Sequence, residues 1–333
     1  MTRPRVSYAL LCYQQEKFVR DAVRSALAQD LEPLEIILSD DCSSDGTYAI
    51  LEEEARAYRG PNTVTLNRNA ENLGIAHNGK VVELAKGDLV IIAHGDDIAV
   101  PHRARRLAEA WKANKVSVLS SNVWVMDADG KPTGLLSGET ESRPITVDEI
   151  IEYNWKKTML GATLAIGREI FLEFGPIDPR IIPVGTDHVF PFRGALLHGA
   201  YYVAEPLLYW RQHAANTGDL IGDKTGSELV FYETNTGYRV MTLMAMNHDL
   251  TGLLKREPKA EIPKKVQHAL VTQIGVQLIQ WIGLRNQLYL EEMRPTWIDK
   301  KDLAAKPIRQ DLRAWPVVRT TDIPDPGESG KRR

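Results

Sequence analysis

Apolar runs and helical stretches alternate cleanly over the first hundred residues. VSYALLCY (6–13), LEIILS (34–39), TVTLN (63–67) and DLVIIA (88–93) read as strands. Between them lie EKFVRDAVRSALAQ (16–29), TYAILEEEARAY (47–58) and AHNGKVVELAK (76–86), with apolar residues at helical spacing. In the first of these, Phe18, Val19, Ala22, Val23, Ala26 and Leu27 share one face. The alternation predicts parallel βαβ units, and right-handed crossovers then put helices on both faces of an open sheet.

The pattern changes after PHRARRLAEAWKA (101–113), a predicted helix with Pro101 at an early position. VSVLSSNVWVMDADGK reads as a strand followed by a turn at Asp129-Gly130. ITVDEIIEY is a short helix, TMLGATLAI a strand leading to REIFLEFG, and GTDHVFPFRGALLHG a helix. AYYVAEPLLYWRQH is read as two short strands punctuated by Pro206. This α+β texture suits a second lobe that completes a cleft. From about Gly226 to Met293 the chain is helical, with a break at KREPKAEIPKK (255–265). The expected organisation is an α/β domain over 1–220, a helical region over 221–295 and an extended or disordered tail over 296–333.

Composition narrows the ligand. With 43% hydrophobic and 26% charged residues, the chain is ordinary for a globular protein. Its net charge of -3 gives no global attraction to nucleic acid or anionic membrane. An anionic ligand must therefore be held by local cations, backbone N–H groups or a metal. Two cysteines, Cys12 and Cys42, make no disulfide framework and suit a reducing compartment. The apolar run Val6–Tyr13 is short for a signal peptide, and no stretch of about 18 apolar residues occurs. The expected location is cytoplasmic, with peripheral association at the inner face of a membrane left open.

Ligands of such sheets bind outside the carboxyl ends of the strands. Those ends are Cys12-Tyr13, Asp40-Asp41 and Asp96-Asp97, all on one edge. The strand in LVIIAHGDDIAVP (89–101) surfaces into two adjacent carboxylates, which repel each other and resist desolvation. A turn is one reading, since Gly and Asp favour turns; a divalent cation, Mg²⁺ or Mn²⁺, is the other. Tyr13 can stack on a base, which is worth about 1–3 kcal/mol, or pack in the core. Asp45 stands where a helix N-cap is needed. His102, Arg103, Arg105 and Arg106 read as a solvated helix face.

Four ordered segments, VSYALLCYQQEKFVRDAVRSALAQ, LEIILSDDCSSDGT, NLGIAHNGKVVELAKGDLVIIAHGDDIAVPHR and GTDHVFPFRGALLHGAYYVAEPLLYWRQH, together resemble family 2 glycosyltransferases over residues 5 to about 215. The resemblance implies an α/β GT-A fold, Rossmann-like with a mostly parallel sheet and helices on both faces, plus a C-terminal helical extension. It implies that the backbone at Leu11 and Cys12 and the ring of Tyr13 line the nucleoside pocket. Asp41, with Asp40 beside it, would accept the N–H of a uracil or thymine base, and Asn78 would join the donor site. Asp96 would reach the ribose hydroxyls or a metal-bound water, and Asp97 would bind the metal. His213 would ligate the metal or approach the diphosphate, with Arg211 beside it. Asp187 would be the catalytic base, its alternative being a helix cap. His94 replaces the first acidic residue of the family's usual motif, and Thr186 replaces the Glu that often precedes Asp187.

The function so implied is inverting, metal-dependent transfer from a nucleotide-sugar, UDP- or dTDP-linked, to a carbohydrate or lipid-linked saccharide acceptor in surface polysaccharide biosynthesis, with no nucleic-acid partner. A sugar-nucleotide pyrophosphorylase would carry a Gly-rich basic loop after the first strand, where this chain has CYQQEKF. A catalytically silent binding module is the other rival; the joint presence of Asp41, Asp97 and Asp187 speaks against it.

Overall fold

The computed structural model describes residues 5–152, 158–179, 185–213, 216, 228–257 and 264–293. In chain order the elements are β1 (Val6–Cys12), α1 (Val19–Leu27), β2 (Glu35–Asp40), α2 (Thr47–Ala57), β3 (Thr63–Arg68), α3 (His77–Leu84), β4 (Leu89–His94), β5 (Ile98–Ala99), α4 (Arg103–Asn114), β6 (Val118–Met126), β7 (Pro132–Leu135), β8 (Arg143–Ile145), α5 (Val147–Glu152), β9 (Ala165–Gly167), α6 (Glu169–Phe174), α7 (Thr186–Leu197), β10 (Ala200–Arg211), α8 (Glu228–Arg256) and α9 (Lys264–Met293).

The strands form a single sheet in the order β3-β2-β1-β4-β9-β6-β10-β5, with β7 joined to β6 and β8 to β10. The half β3-β2-β1-β4 is parallel throughout. Short β9 then runs antiparallel between β4 and β6. Register levels the ends that matter: Cys12 pairs with Asp40, Asp40 with Arg68, and Leu11 with His94. The three carboxyl ends are thus flush along one edge, as the alternation predicts.

Both faces are covered, which is why β1, β2 and β4 are apolar almost throughout. On one face, Val19, Val23 and Ala26 of α1, Leu51 of α2 and Leu107 of α4 pack on Tyr8, Leu10, Ile36, Leu38 and Ile91. On the other, Val81 and Val82 of α3, Ile150 of α5 and Phe190 of α7 pack on Ala9, Leu11, Ile37 and Ile92. Leu243, Met246 and Leu250 of α8 and Val266 and Leu270 of α9 belong to this second core. The chain divides into two compact units, Met1–Leu284 and Arg285–Arg333. No helix among the described residues is long and apolar enough to cross a membrane.

Three local expectations differ from the structure. AYYVAEPLLYWR is one strand, β10, rather than two, because register shifts on either side of Pro206 absorb its missing N–H. TMLGATLAI is mostly not strand: a 3-10 turn, Gly161–Thr163, precedes the three residues of β9. Arg103 lies fully inside the fold rather than on a solvated face. Its neighbours keep to the surface, Arg105 paired with Asp30 and Arg106 with Glu205. The expected tail over 296–333 lies outside the described residues.

Candidate active site

The turn after β1 is stitched to the turn after β2 by side chains. Gln14 N donates to Ser43 Oγ (2.9 Å), Gln15 N to Thr47 Oγ1 (2.8 Å) and Glu16 N to Asp45 Oδ2 (3.1 Å). Gly46 N returns a bond to Glu16 Oε2 at 2.8 Å. Each N–H would otherwise lack a partner in a chain leaving its ladder, so the spaced Ser, Asp and Thr of SDDCSSDGT serve as acceptors. Asp45 is not the helix N-cap itself. Gly46 holds that position, and Asp45, one residue earlier, accepts Thr47 N at 3.0 Å.

Asp41 follows β2 and is buried, with its N–H on Cys12 O at 2.9 Å. Its carboxylate is surrounded by donors from the segment after β3. Oδ1 accepts Asn69 Nδ2 (2.7 Å) and Leu73 N (3.0 Å), and Oδ2 accepts Gly74 N (2.9 Å). Of about four acceptor positions on a carboxylate, three are filled and the remainder lies on Oδ2. His77 sits behind, on Ser39 Oγ at 2.7 Å, and burial lowers its pKa towards the neutral form.

At the end of β4, Gly95 N donates to Leu11 O at 3.0 Å. A Cβ on Gly95 would stand 2.5 Å from Gln15 Oε1 and 2.8 Å from Cys12 Sγ, so only glycine permits this approach of β4 to β1. Asp96 and Asp97 follow. Asp97 is buried, and Oδ1 accepts Arg211 N at 2.9 Å. Burial pushes its carboxyl well above the usual range, and Asp96 adds to the effect, while Arg103 and Arg211 oppose it. Asp96 Oδ2 lies 3.1 Å from His213 Nε2, and its carbonyl accepts Arg211 Nε at 2.9 Å. Phe18 forms a wall: its ring is 4.7 Å from that of His213 and 4.9 Å from the guanidinium of Arg211.

Tyr13 stands 44% exposed at the end of β1, which removes the core-packing alternative. Leu11 and Cys12 are buried, and burial raises the Cys12 thiol well above its ordinary pKa, making it a poor nucleophile. Asp187 lies in the first turn of α7, where Gly185 holds the N-cap position and no side-chain capping bond forms. Asp187 Oδ1 is 3.1 Å from His188 Nδ1. A Cβ added to Gly161 would be 3.5 Å from the Cβ of Asp187, so the two residues are neighbours. Since Ile91 pairs with Ala165 antiparallel, Gly161 falls towards the carboxyl end of β4. Asn78 differs from the rest: its described side-chain bond, to Ile75 O at 3.2 Å, closes its own turn.

The family model for glycosyl transferase family 2 matches residues 7–174, about half of the chain. The chain belongs to glycosyl transferase family 2. It is 28% identical over 155 residues to the succinoglycan biosynthesis protein ExoO of Rhizobium meliloti, covering 45% of this chain and 43% of that one. It is 34% identical over 282 residues to the uncharacterized protein Rv1520 of Mycobacterium tuberculosis, covering 84% of this chain and 75% of that one. The chain therefore spans less than half of ExoO and three quarters of Rv1520. Among solved structures, S. aureus TarS 1-349 shares the fold, with a TM-score of 0.58, 17% identity and coverage of 88% of this chain and 78% of that one.

The ends of β4 and β10 carry side chains of the types that ligate divalent cations. Asp96 and His213 meet side chain to side chain, and Asp97 follows Asp96 in the chain, its carboxyl raised chiefly by burial. Among the described residues, no three such side chains converge on one point at ligand distance. His94 stays out of this set in charge: burial holds its imidazole towards the neutral form. Sequence reasoning missed Phe18, Asn69, His77 and Arg103. Only Arg103 carries a signal, since Ala104 and Leu107 share the same inward stripe of α4.

Proposed function

We propose that this family 2 chain transfers a sugar from a nucleotide-sugar to a hydroxyl of a carbohydrate or lipid-linked saccharide, with inversion at the anomeric carbon. The observation that carries the reading is the meeting of Tyr13, Asp41, Asp96-Asp97 and Arg211-His213 around the end of β1 and β4. Tyr13 offers an exposed ring to a base, and the remaining lone pair of Asp41 can accept a base N–H, which favours uracil or thymine. Solved forms of TarS hold UDP and UDP-GlcNAc, in keeping with a uracil nucleotide. Asp97, with Asp96 and His213, would hold a divalent cation, which when bound would supply positive charge to the diphosphate leaving group.

Asp187 takes the proton from the acceptor hydroxyl as its oxygen attacks the anomeric carbon, and the sugar–phosphate bond breaks on the opposite face. The similarity to ExoO, a succinoglycan biosynthesis protein, supports a role in polysaccharide biosynthesis. The test is thermal stabilisation by UDP or dTDP with Mn²⁺ or Mg²⁺, reversed by EDTA, followed by donor hydrolysis with water as acceptor. The absence of any shift across uracil and thymine nucleotides, metal present, would refute the donor site.

A further inference from the structure

Arg103 opens α4 and is fully buried; its described hydrogen-bond partners are all neutral, and Asp97 is the carboxyl that its charge acts on through space. Nη1 donates to Tyr8 Oη at 3.1 Å; Nη2 donates to Ile92 O at 2.7 Å and Ala162 O at 3.0 Å. Nε has no partner. A buried cation with no carboxylate hydrogen-bonded to it is expensive, and attraction to Asp97 does not by itself require this set of partners. The partners show what the guanidinium does instead. Tyr8 belongs to β1, Ile92 to β4, and Ala162 to the 3-10 turn whose Gly161 neighbours Asp187. The β4–β9 ladder ends with the pair Ile91–Ala165 and one further backbone bond, Ile92 N to Leu164 O at 2.9 Å. Where it stops, two carbonyls facing the gap take their hydrogen bonds from one nitrogen of Arg103.

We infer that Arg103 is a positioning residue for the proposed transfer: its guanidinium docks the Gly161–Thr163 turn, and with it Asp187, on the carboxyl end of β4. The inference rests on the reading of Asp187 as the base. Only a planar fork of donors reaches the hydroxyl and both carbonyls together, so a lysine ammonium of the same charge cannot replace it.

The test uses Arg103→Lys in the full chain, with Tyr8→Phe as a milder companion that removes only the phenol acceptor. Amide exchange over residues 160–164, UDP–Mn²⁺ affinity, and kcat and KM for donor are measured on each. In Arg103→Lys, exchange in the turn should rise about tenfold while the amides of β1 and β2 keep their protection. UDP–Mn²⁺ affinity and donor KM should stay within about twofold, and kcat should fall about tenfold or more. Unchanged exchange in the turn would overturn the inference, as would a parallel loss of UDP affinity and of protection across the sheet. If Arg103→Lys does not fold, Tyr8→Phe decides: a smaller rise confined to the same turn, with a lower kcat, supports the inference, and parental values overturn it. Asp187→Asn separates the two readings. A parental kcat in that variant removes the base, whereas a loss there beside a parental kcat in Arg103→Lys removes only the positioning role.

Discussion

Replacing Asp97 by Asn separates the charge of this residue from its place in the backbone. The amide oxygen can still accept Arg211 N, which bonds Oδ1 at 2.9 Å, so the turn after β4 loses no partner. What goes is a carboxyl whose pKa burial and Asp96 hold well above its ordinary 3.8. With the folded pKa raised, the folded protein binds more protons than the unfolded chain between the two values. Metal-free stability therefore falls as pH rises from about 3.8 towards the folded pKa. Asp97→Asn removes that decline, and its metal-free melting temperature at neutral pH should equal or exceed the parent's. The loaded state behaves in the opposite way. At 100 times its dissociation constant a ligand adds about 2.7 kcal/mol. With an unfolding entropy of about 2.1 cal/mol/K per residue, the unit Met1–Leu284 loses about 0.6 kcal/mol per degree near its midpoint. UDP with Mn²⁺ should thus raise the parent's midpoint by about 4–5 °C, and the metal-dependent part should vanish in Asp97→Asn, leaving uridine binding as it was. Differential scanning fluorimetry with and without EDTA reads both states. A variant that keeps the metal-dependent shift, or that melts well below the parent without metal, would refute the reasoning.

Tyr13→Ala should leave the melting temperature almost unchanged, because the ring is exposed, and weaken nucleotide binding roughly 5- to 150-fold, the equivalent of about 1–3 kcal/mol of stacking; calorimetry with UDP measures it. Asp187→Asn should bind UDP–Mn²⁺ normally and transfer, or hydrolyse donor, about 10² to 10⁴ times more slowly. Burial lowers the pKa of His77 from 6.5, so below that pH the unfolded chain takes up a proton that the folded one refuses, and stability falls with acidification until the folded pKa is passed. His77→Gln should flatten that decline in denaturant titrations below pH 6.5; an unaltered slope would exclude His77 as its source.

The parallel half of the fold was legible because strands covered on both faces read as unbroken apolar runs, and because carboxyl ends of parallel strands must share an edge. That alone brought Tyr13, Asp41 and Asp97 together from three distant segments. The second lobe was less legible for physical reasons. Pro206 reads as a break, but register shifts let a strand continue through it. Arg103 sits in a basic run, and its charge masks a position that the spacing to Ala104 and Leu107 assigns to the interior. Asn69, Leu73 and Gly74 hold Asp41 through a segment with no strong pattern, and two of those three bonds come from the backbone, which any residue but proline could supply.

The joint core of α7, α8 and α9 bears on how such a chain can be recombined. Leu243, Met246, Leu250, Val266 and Leu270 are buried with Phe190 and Ile92, and Arg193 of α7 forms a bidentate ion pair with Asp249 of α8. Burying each such apolar side chain is worth about 1.5–3 kcal/mol, a sum comparable with the whole stability of an ordinary domain. The matched family segment ends at residue 174, well before these helices. A chimera cut at residue 220 would leave the helix of Asp187 without its cover and one buried charge without its mate. A cut at 174 keeps that pair together but parts Phe190 from Ile92. Any exchange of acceptor preference between relatives would have to carry the C-terminal helices as part of the same cassette.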